Sequence, residues 1–339
     1  MNATLTLRVF LPALASASLA LTPLAFAQSE APPTSAPTND AAPSTPAPAT
    51  RPTTARPPNV TTVEAFKTLA YDITQRGRPL DLSDYRQTFL DDFDTMSISP
   101  PGGAEANWYG PVHGGAGAAK WIPPGPDGPF SVKDGHLTIT TKKDASGKWT
   151  TGIIETADRN GRGFSQQYGY FEMRAKFPPD KAVWPSFWLK AAAERTDRTM
   201  SRPEIDIIEW YGSEDARGHH SSVHLWAATR NRDPDYPLKK HVWRSHYFDL
   251  RKLTPPVMTP FEGERWGRLE GFHTYGAEIT PEWVIFHFDR KEISRFPMLP
   301  EYHQPLFMIV CLALKKTDTP DNPKEMVIDY VTAYQKNKY

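Results

Sequence analysis

The chain has 339 residues, and its 39 basic and 39 acidic side chains leave a formal net charge of zero. That balance excludes the basic surface on which nucleic-acid binding usually rests, so no nucleic acid is expected as a partner. With 34 prolines, 21 glycines and 12% aromatic residues, the composition points to an all-β globular fold, which can reach roughly 250 residues as one unit.

Residues 1–27 read as an export signal. Arg8 supplies the positive start, an apolar segment follows, and Ala25-Phe26-Ala27 fits a small-x-small cleavage site. Pro12 and Pro23 interrupt the segment, which falls short of the roughly 20 clean apolar residues of a spanning helix. The mature protein is therefore expected to be secreted or periplasmic, monomeric, and not inserted in a membrane. Residues 28–60 are almost entirely Pro, Ala, Thr and Ser, a composition that cannot offset its own ordering entropy, and they are expected to form a disordered linker. Residues 61–81 are expected to make a short helix or turn leading into a single domain at 82–339.

Within that domain the strand signals dominate. "GHLTITTKK" alternates apolar and polar residues, and so does "TGIIETAD" after the turn-rich "DASGKW". "YGYFEMRAKF" is another alternating run, and "FHTYGAEI", "WVIFHFD" and "EISRFP" read as a meander with short turns. "PLFMIVCLAL" and "EMVIDYVTAYQ" close the series. Many short strands with frequent turn signals predict an antiparallel sandwich or barrel. The single cysteine, Cys311, rules out an intramolecular disulfide and is expected to be a small core residue. His219-His220 has no matching partner pair with zinc spacing, so no metal site is expected there.

The unusual stretch is "SRPEIDIIEWYG", which threads Glu204, Asp206 and Glu209 through isoleucines. Burying a carboxylate is costly unless it is paired, so three of them in an apolar run need a reason. On a helix they would point in three directions. On a strand Glu204 and Asp206 share a face, and one bulged residue returns Glu209 to it while Ile205 and one or both of Ile207 and Ile208 turn to the core. Two glutamates roughly 13 Å apart at Cα along such a strand could bring their carboxyls to about 5–6 Å, the separation of a retaining glycosidase. Asp206, between them, could hydrogen-bond the nucleophile and raise the pKa of a neighbouring acid.

The same residues resemble a known family. "EIDIIE" resembles the E-x-D-x-x-E signature of glycoside hydrolase family 16, the group containing laminarinases and bacterial exopolysaccharide endo-β-glycanases. "QTFLDDFD", "YGYFEMRAKFPPDKAVWPSFWL", "FHTYGAEITPEWVIFHFDRKEI" and "MVIDYVTAYQ" resemble its other segments, in the family's order, over about residues 88–334. The resemblance implies a curved β-jelly-roll sandwich with a concave substrate cleft, an endo-acting retaining hydrolase, and a polysaccharide partner of the β-glucan or microbial exopolysaccharide class. It implies Glu204 as nucleophile, Asp206 as assisting acid and Glu209 as general acid/base. Trp184 and Trp188 match tryptophans at or beside the cleft, and His224 a histidine of the following strand that could bind substrate. Trp108, Tyr109 and Trp121 lie in Gly/Pro-rich loops, where exposure would let the rings stack on sugar faces. No cofactor is expected beyond a structural calcium near Asp329, which many family members carry. The long connection after "SSVHLW" is expected to wall one end of the cleft. A transglycosylase on the same substrates and a non-catalytic glycan-binding protein are the alternatives. A lectin has no need of three aligned acids.

Overall fold

A computed structural model of the protein describes residues 68–212, 218–227, 241–252, 258–259, 268–269 and 271–338. The leader, the linker and most of the connection after Trp226 lie outside the described residues. Two large sheets pack face to face as a jelly-roll sandwich.

The outer sheet has ten strands. From one edge it runs Lys291–Pro297, Trp283–Phe288, His273–Ile279, Gly169–Lys176, Lys324–Lys336, His136–Lys143, Trp149–Thr151 and Lys120–Trp121. Tyr85–Asp91 adds to Lys324–Lys336, and Phe130–Lys133 to His136–Lys143. The predicted meander is therefore present, as one edge of this sheet. The expected lead-in of residues 61–81 is described from residue 68, and it lies along that edge. Asp72 and Arg295 exchange backbone hydrogen bonds at 2.8 and 2.9 Å, and Leu80 N donates to Arg290 O at 2.8 Å. The segment thus covers backbone groups that an open edge strand would expose.

The inner sheet has eight strands in the order Val242–Asp249, Gly218–Trp226, Arg202–Glu209, Val183–Ala191, Leu306–Leu314, Ile153–Glu155, Trp108–Tyr109 and Ile98–Ser99. Pairing is antiparallel except in two short couples, Ile98–Ser99 with Trp108–Tyr109 and Lys120–Trp121 with Trp149–Thr151, which run parallel. Alternation failed to foresee these because two- and three-residue strands are too short to show a period.

Strand Leu306–Leu314 shows how the site is floored. All nine of its residues are buried. Leu306, Met308, Val310, Leu312 and Leu314 face the main core. Phe307, Ile309, Cys311 and Ala313 face the other way, into a second apolar cluster. Its neighbour Val183–Ala191 alternates likewise, with Val183, Phe187, Leu189 and Ala191 in the core. Trp184, Ser186, Trp188 and Lys190 are left on the opposite face, where they line a cavity of about 380 Å³.

Candidate active site

Strand Arg202–Glu209 crosses that cavity. Its pairing slips by one residue against both neighbours: Asp206 faces Ser222 and Glu209 faces His220, while on the other side Phe187 meets Ile208 and Trp188 meets Asp206. Ile207 is the extra residue, so the bulge expected from the spacing is present. Ile205, Ile207 and Ile208 are all buried in the core, and Arg202, Glu204, Asp206 and Glu209 all line the cavity. Each fully buried isoleucine contributes roughly 1.5–3 kcal/mol. A slip of one residue would expose them and bury the acids, so the core side holds the register.

Each glutamate is gripped by one oxygen. Glu204 Oε2 accepts from Trp226 Nε1 at 3.0 Å and lies 3.5 Å from Lys190 Nζ. Glu209 Oε1 accepts from Tyr211 Oη at 2.8 Å and Trp184 Nε1 at 3.2 Å. Among the described residues, the other oxygen of each makes no hydrogen bond or ion pair. Lys190 is held from behind by Glu194 Oε1 at 3.0 Å, and that oxygen is 3.3 Å from His113 Nε2. His113 Nδ1 in turn lies 2.8 Å from Glu155 Oε2, which also accepts from Arg195.

The environment splits the two glutamates. Burial and then the Asp206 charge raise Glu204 to about 6, held back by Lys190, His224 and the Trp226 indole. Burial and Asp206 push Glu209 further, to about 8, with the Tyr211 hydroxyl and His224 opposing. Burial disfavours the His224 cation, but Asp206, then Glu204 and Glu209, outweigh it and raise His224 to about 9. At neutral pH, then, Glu204 is mainly ionised, Glu209 mainly protonated, and His224 a cation 2.7 Å from Asp206 Oδ2.

Trp184, Trp188 and Trp121 line the cavity as expected. The indole N–H of Trp121 is buried with no hydrogen-bond partner among the described residues. Trp108 is not there. It is fully buried in the sandwich core, with Nε1 donating to Asp91 Oδ2 at 2.9 Å, and Tyr109 is buried beside it. Flanking glycines and prolines suggested exposure, but the pair forms a short strand of the inner sheet. His224 is also placed differently from a free sugar contact. Its Nε2 meets Asp206 and its Nδ1 lies 2.8 Å from His241 Nε2, so both ring nitrogens are engaged by protein. Trp226, Lys190, Tyr211 and His113 were missed. Lys190 was available from the period of Trp184 and Trp188, and Trp226 from that of His224. His113 arrives from a distant loop and left no local signal.

Glu204, Asp206 and His224 bring donor atoms within 4.8 Å of one another, a spacing a metal could use. The His224 cation, Lys190 and the Trp226 N–H already occupy that network, which makes it an ion-pair cluster rather than an open coordination set. Asp329 does not fit calcium either. Its carboxylate pairs with Arg174 and has His136 Nε2 at 3.8 Å, whereas calcium takes six to eight oxygens. Cys311 is 4% exposed on the cleft floor, 3.0 Å from Ser186 Oγ, and burial lifts its thiol to about 12. It therefore behaves as a packing residue. His219 is fully buried among aromatic rings, with burial lowering its pKa to about 3, so it is a neutral core histidine.

The profile of the "Glycosyl hydrolases family 16" matches residues 125–249, which include all three acids. The chain is 31% identical over 281 residues to the endo-1,3-1,4-beta-glycanase EglC of Rhizobium meliloti (strain 1021), covering 75% of this chain and 53% of that protein. It is 30% identical to the endo-1,3-1,4-beta-glycanase ExsH of the same organism, with the same coverage. The chain thus spans about half the length of the curated relatives it matches. Its fold is shared by the laminarinase catalytic domain of Thermotoga maritima MSB8, with a TM-score of 0.51 at 20% identity over 75% of this chain and 99% of that one.

Proposed function

Since the chain belongs to glycoside hydrolase family 16, we propose that it is an endo-acting β-glycanase that cleaves internal linkages of a β-1,3/1,4-type glucan or related exopolysaccharide with retention of configuration. One observation carries this reading. A single bulge sets Glu204, Asp206 and Glu209 on one face of a tryptophan-lined cleft, and their surroundings drive the two glutamates to opposite protonation states. Pairs of carboxyls split in this way mark acid and base assignments.

In the first step Glu204 attacks the anomeric carbon. Lys190 and Trp226 hold Oε2, so Oε1 is the attacking atom. Glu209 delivers its proton from Oε2 to the departing oxygen, while Oε1 stays fixed by Tyr211 and Trp184. Once that proton has left, Glu209 takes one from the water that releases the glycosyl-enzyme. Asp206, balanced by the His224 cation, keeps negative charge between the two glutamates and so favours the protonated form of Glu209.

The direct test is a polysaccharide panel with mass spectrometry of the products. A ladder of oligosaccharides from a β-1,3/1,4-glucan is expected, and monosaccharide release alone would exclude endo action. The pH profile gives a second expected result. Activity requires Glu204 ionised and Glu209 protonated, so kcat/KM should rise through about 6 and fall through about 8. Tyr211→Phe removes a donor that favours the Glu209 carboxylate, and should move the alkaline limb upward. A profile flat from pH 4 to 9 would contradict the assignment.

A further inference from the structure

Beside the catalytic cleft lies a second cavity of about 250 Å³, lined by Pro111, Val112, Arg159, Arg195 and Arg198. Three guanidiniums around one opening repel each other, and among the described residues no carboxylate lines it. Arg195 is the inner one, with its side chain 6% exposed, and it is paired with the buried Glu155. That pair neutralises one charge, yet the Nε of Arg195 remains buried with no hydrogen-bond partner. Arg159 and Arg198 are exposed, and neither makes an ion pair with a described residue. The pocket thus holds an excess of about two positive charges in a chain whose basic and acidic residues are 39 each.

Its wall is shared with the active site. Pro111 and Val112 line the cationic pocket, and the next residues, His113, Gly114 and Gly115, line the catalytic cleft. Val112 N and His113 N both donate to Glu155 Oε1, at 3.1 and 2.8 Å, which pins this loop to the carboxylate that holds Arg195. From there His113, Glu194 and Lys190 lead in successive contacts to Glu204. A glycan in the cleft is therefore one loop away from the arginines.

We propose that this pocket is a recognition site for an anionic group, a carboxylate or similar acidic substituent, carried by the polysaccharide. The inference rests on the glycanase reading above and narrows its substrate class to acidic glycans. Guanidinium is suited to the task because its planar donors match a carboxylate in pairs and stay charged at any working pH. Charge placement fits as well. The Glu204 and Asp206 carboxylates at the centre of the cleft already take up the nearby Lys190 and His224 charges, whereas the guanidiniums of Arg159 and Arg198, to one side, make no ion pair with a described residue. A free inorganic anion would use the same chemistry.

The test compares a soluble mixed-linkage β-glucan with the same glucan carrying carboxylates at a fraction of its C6 positions. The wild-type enzyme should show kcat/KM about tenfold higher on the carboxylated polymer at low salt, with the preference fading as ionic strength rises. Arg159→Ala/Arg198→Ala should reduce the preference to within about twofold while leaving the neutral glucan unaffected. A wild type with no preference, or a double variant that keeps it, would overturn the proposal. Affinity electrophoresis of Glu204→Gln protein in gels containing either polymer reads the site without turnover. Stronger retardation by the carboxylated glucan, lost when both arginines are replaced, supports the proposal even if neither polymer is cleaved. Cleavage of the neutral glucan with equal retardation in both gels would leave the glycanase standing and remove the anion site. If inorganic phosphate raised the melting temperature through these arginines while polymer charge made no difference, the pocket would be a free-anion site and the substrate claim would fail.

Discussion

Glu204→Gln is expected to lower turnover on β-glucan by at least a thousandfold with the fold intact. The amide keeps the size of the side chain and an oxygen for the Trp226 indole, but it cannot attack an anomeric carbon. A thousandfold is about 4 kcal/mol of transition-state stabilisation, a loss typical of removing a nucleophile and far beyond that of a weakened sugar contact. The lost partner of Lys190 does not leave a bare cation, because Glu194 lies 3.0 Å from the same ammonium. The melting temperature should therefore stay within a few degrees of wild type. Turnover above a tenth of wild type would show that Glu204 is not the nucleophile.

The second large effect separates the roles. Glu209→Ala should slow polysaccharide cleavage strongly, because a sugar leaving group needs a proton. It should slow an activated aryl β-glycoside much less in the first step, because that group departs unaided. The glycosyl-enzyme then accumulates, and azide, entering the space left by the side chain between Trp184 and Tyr211, should restore turnover. NMR of the product distinguishes the outcomes. A β-glycosyl azide is expected. An α-azide would mean inversion and would remove both the role of Glu209 and the retaining mechanism. Rescue of Glu204→Ala to a β-azide would exchange the two glutamates.

How far the site could be read from the chain depends on whether a residue's place is set by its own strand. Glu204, Asp206 and Glu209 were legible because three isoleucines between them force a bulge, and one strand decides all their orientations. Trp184 and Trp188 follow the same rule. The grip on each glutamate was not legible, because Trp226 and Lys190 reach Glu204 from the strands on either side, across pairings that no local pattern encodes. Trp108 shows the opposite error. Loop-like composition suggested a free ring, but neighbouring strands buried it and Asp91 took its N–H. An antiparallel sandwich or barrel was readable from alternation and the jelly roll from the family resemblance, apart from two parallel couples and the use of residues 68–81 as an edge cover.

The bulge also sets a thermodynamic tension between folding and work. Glu209 is lifted to about 8, whereas an unfolded chain titrates it near 4.3. Between those values folding must take up a proton at Glu209. The raised pKa means that its contribution favours the folded state fully below the unfolded value, and that this is lost as pH rises through about 8. The proposed mechanism needs Glu204 ionised, above about 6, which falls in the range where Glu209 lowers stability as pH rises. A glutamine at position 209 keeps the acceptor for Tyr211 and Trp184 but cannot ionise. Glu209→Gln should therefore melt higher than wild type, with a gap that is small at pH 4 and widest at pH 9. A gap that did not change with pH would show that Glu209 titrates alike in the folded and unfolded chain. Glu209 is thus kept on the strand at a cost in conformational stability that grows as pH rises toward about 8.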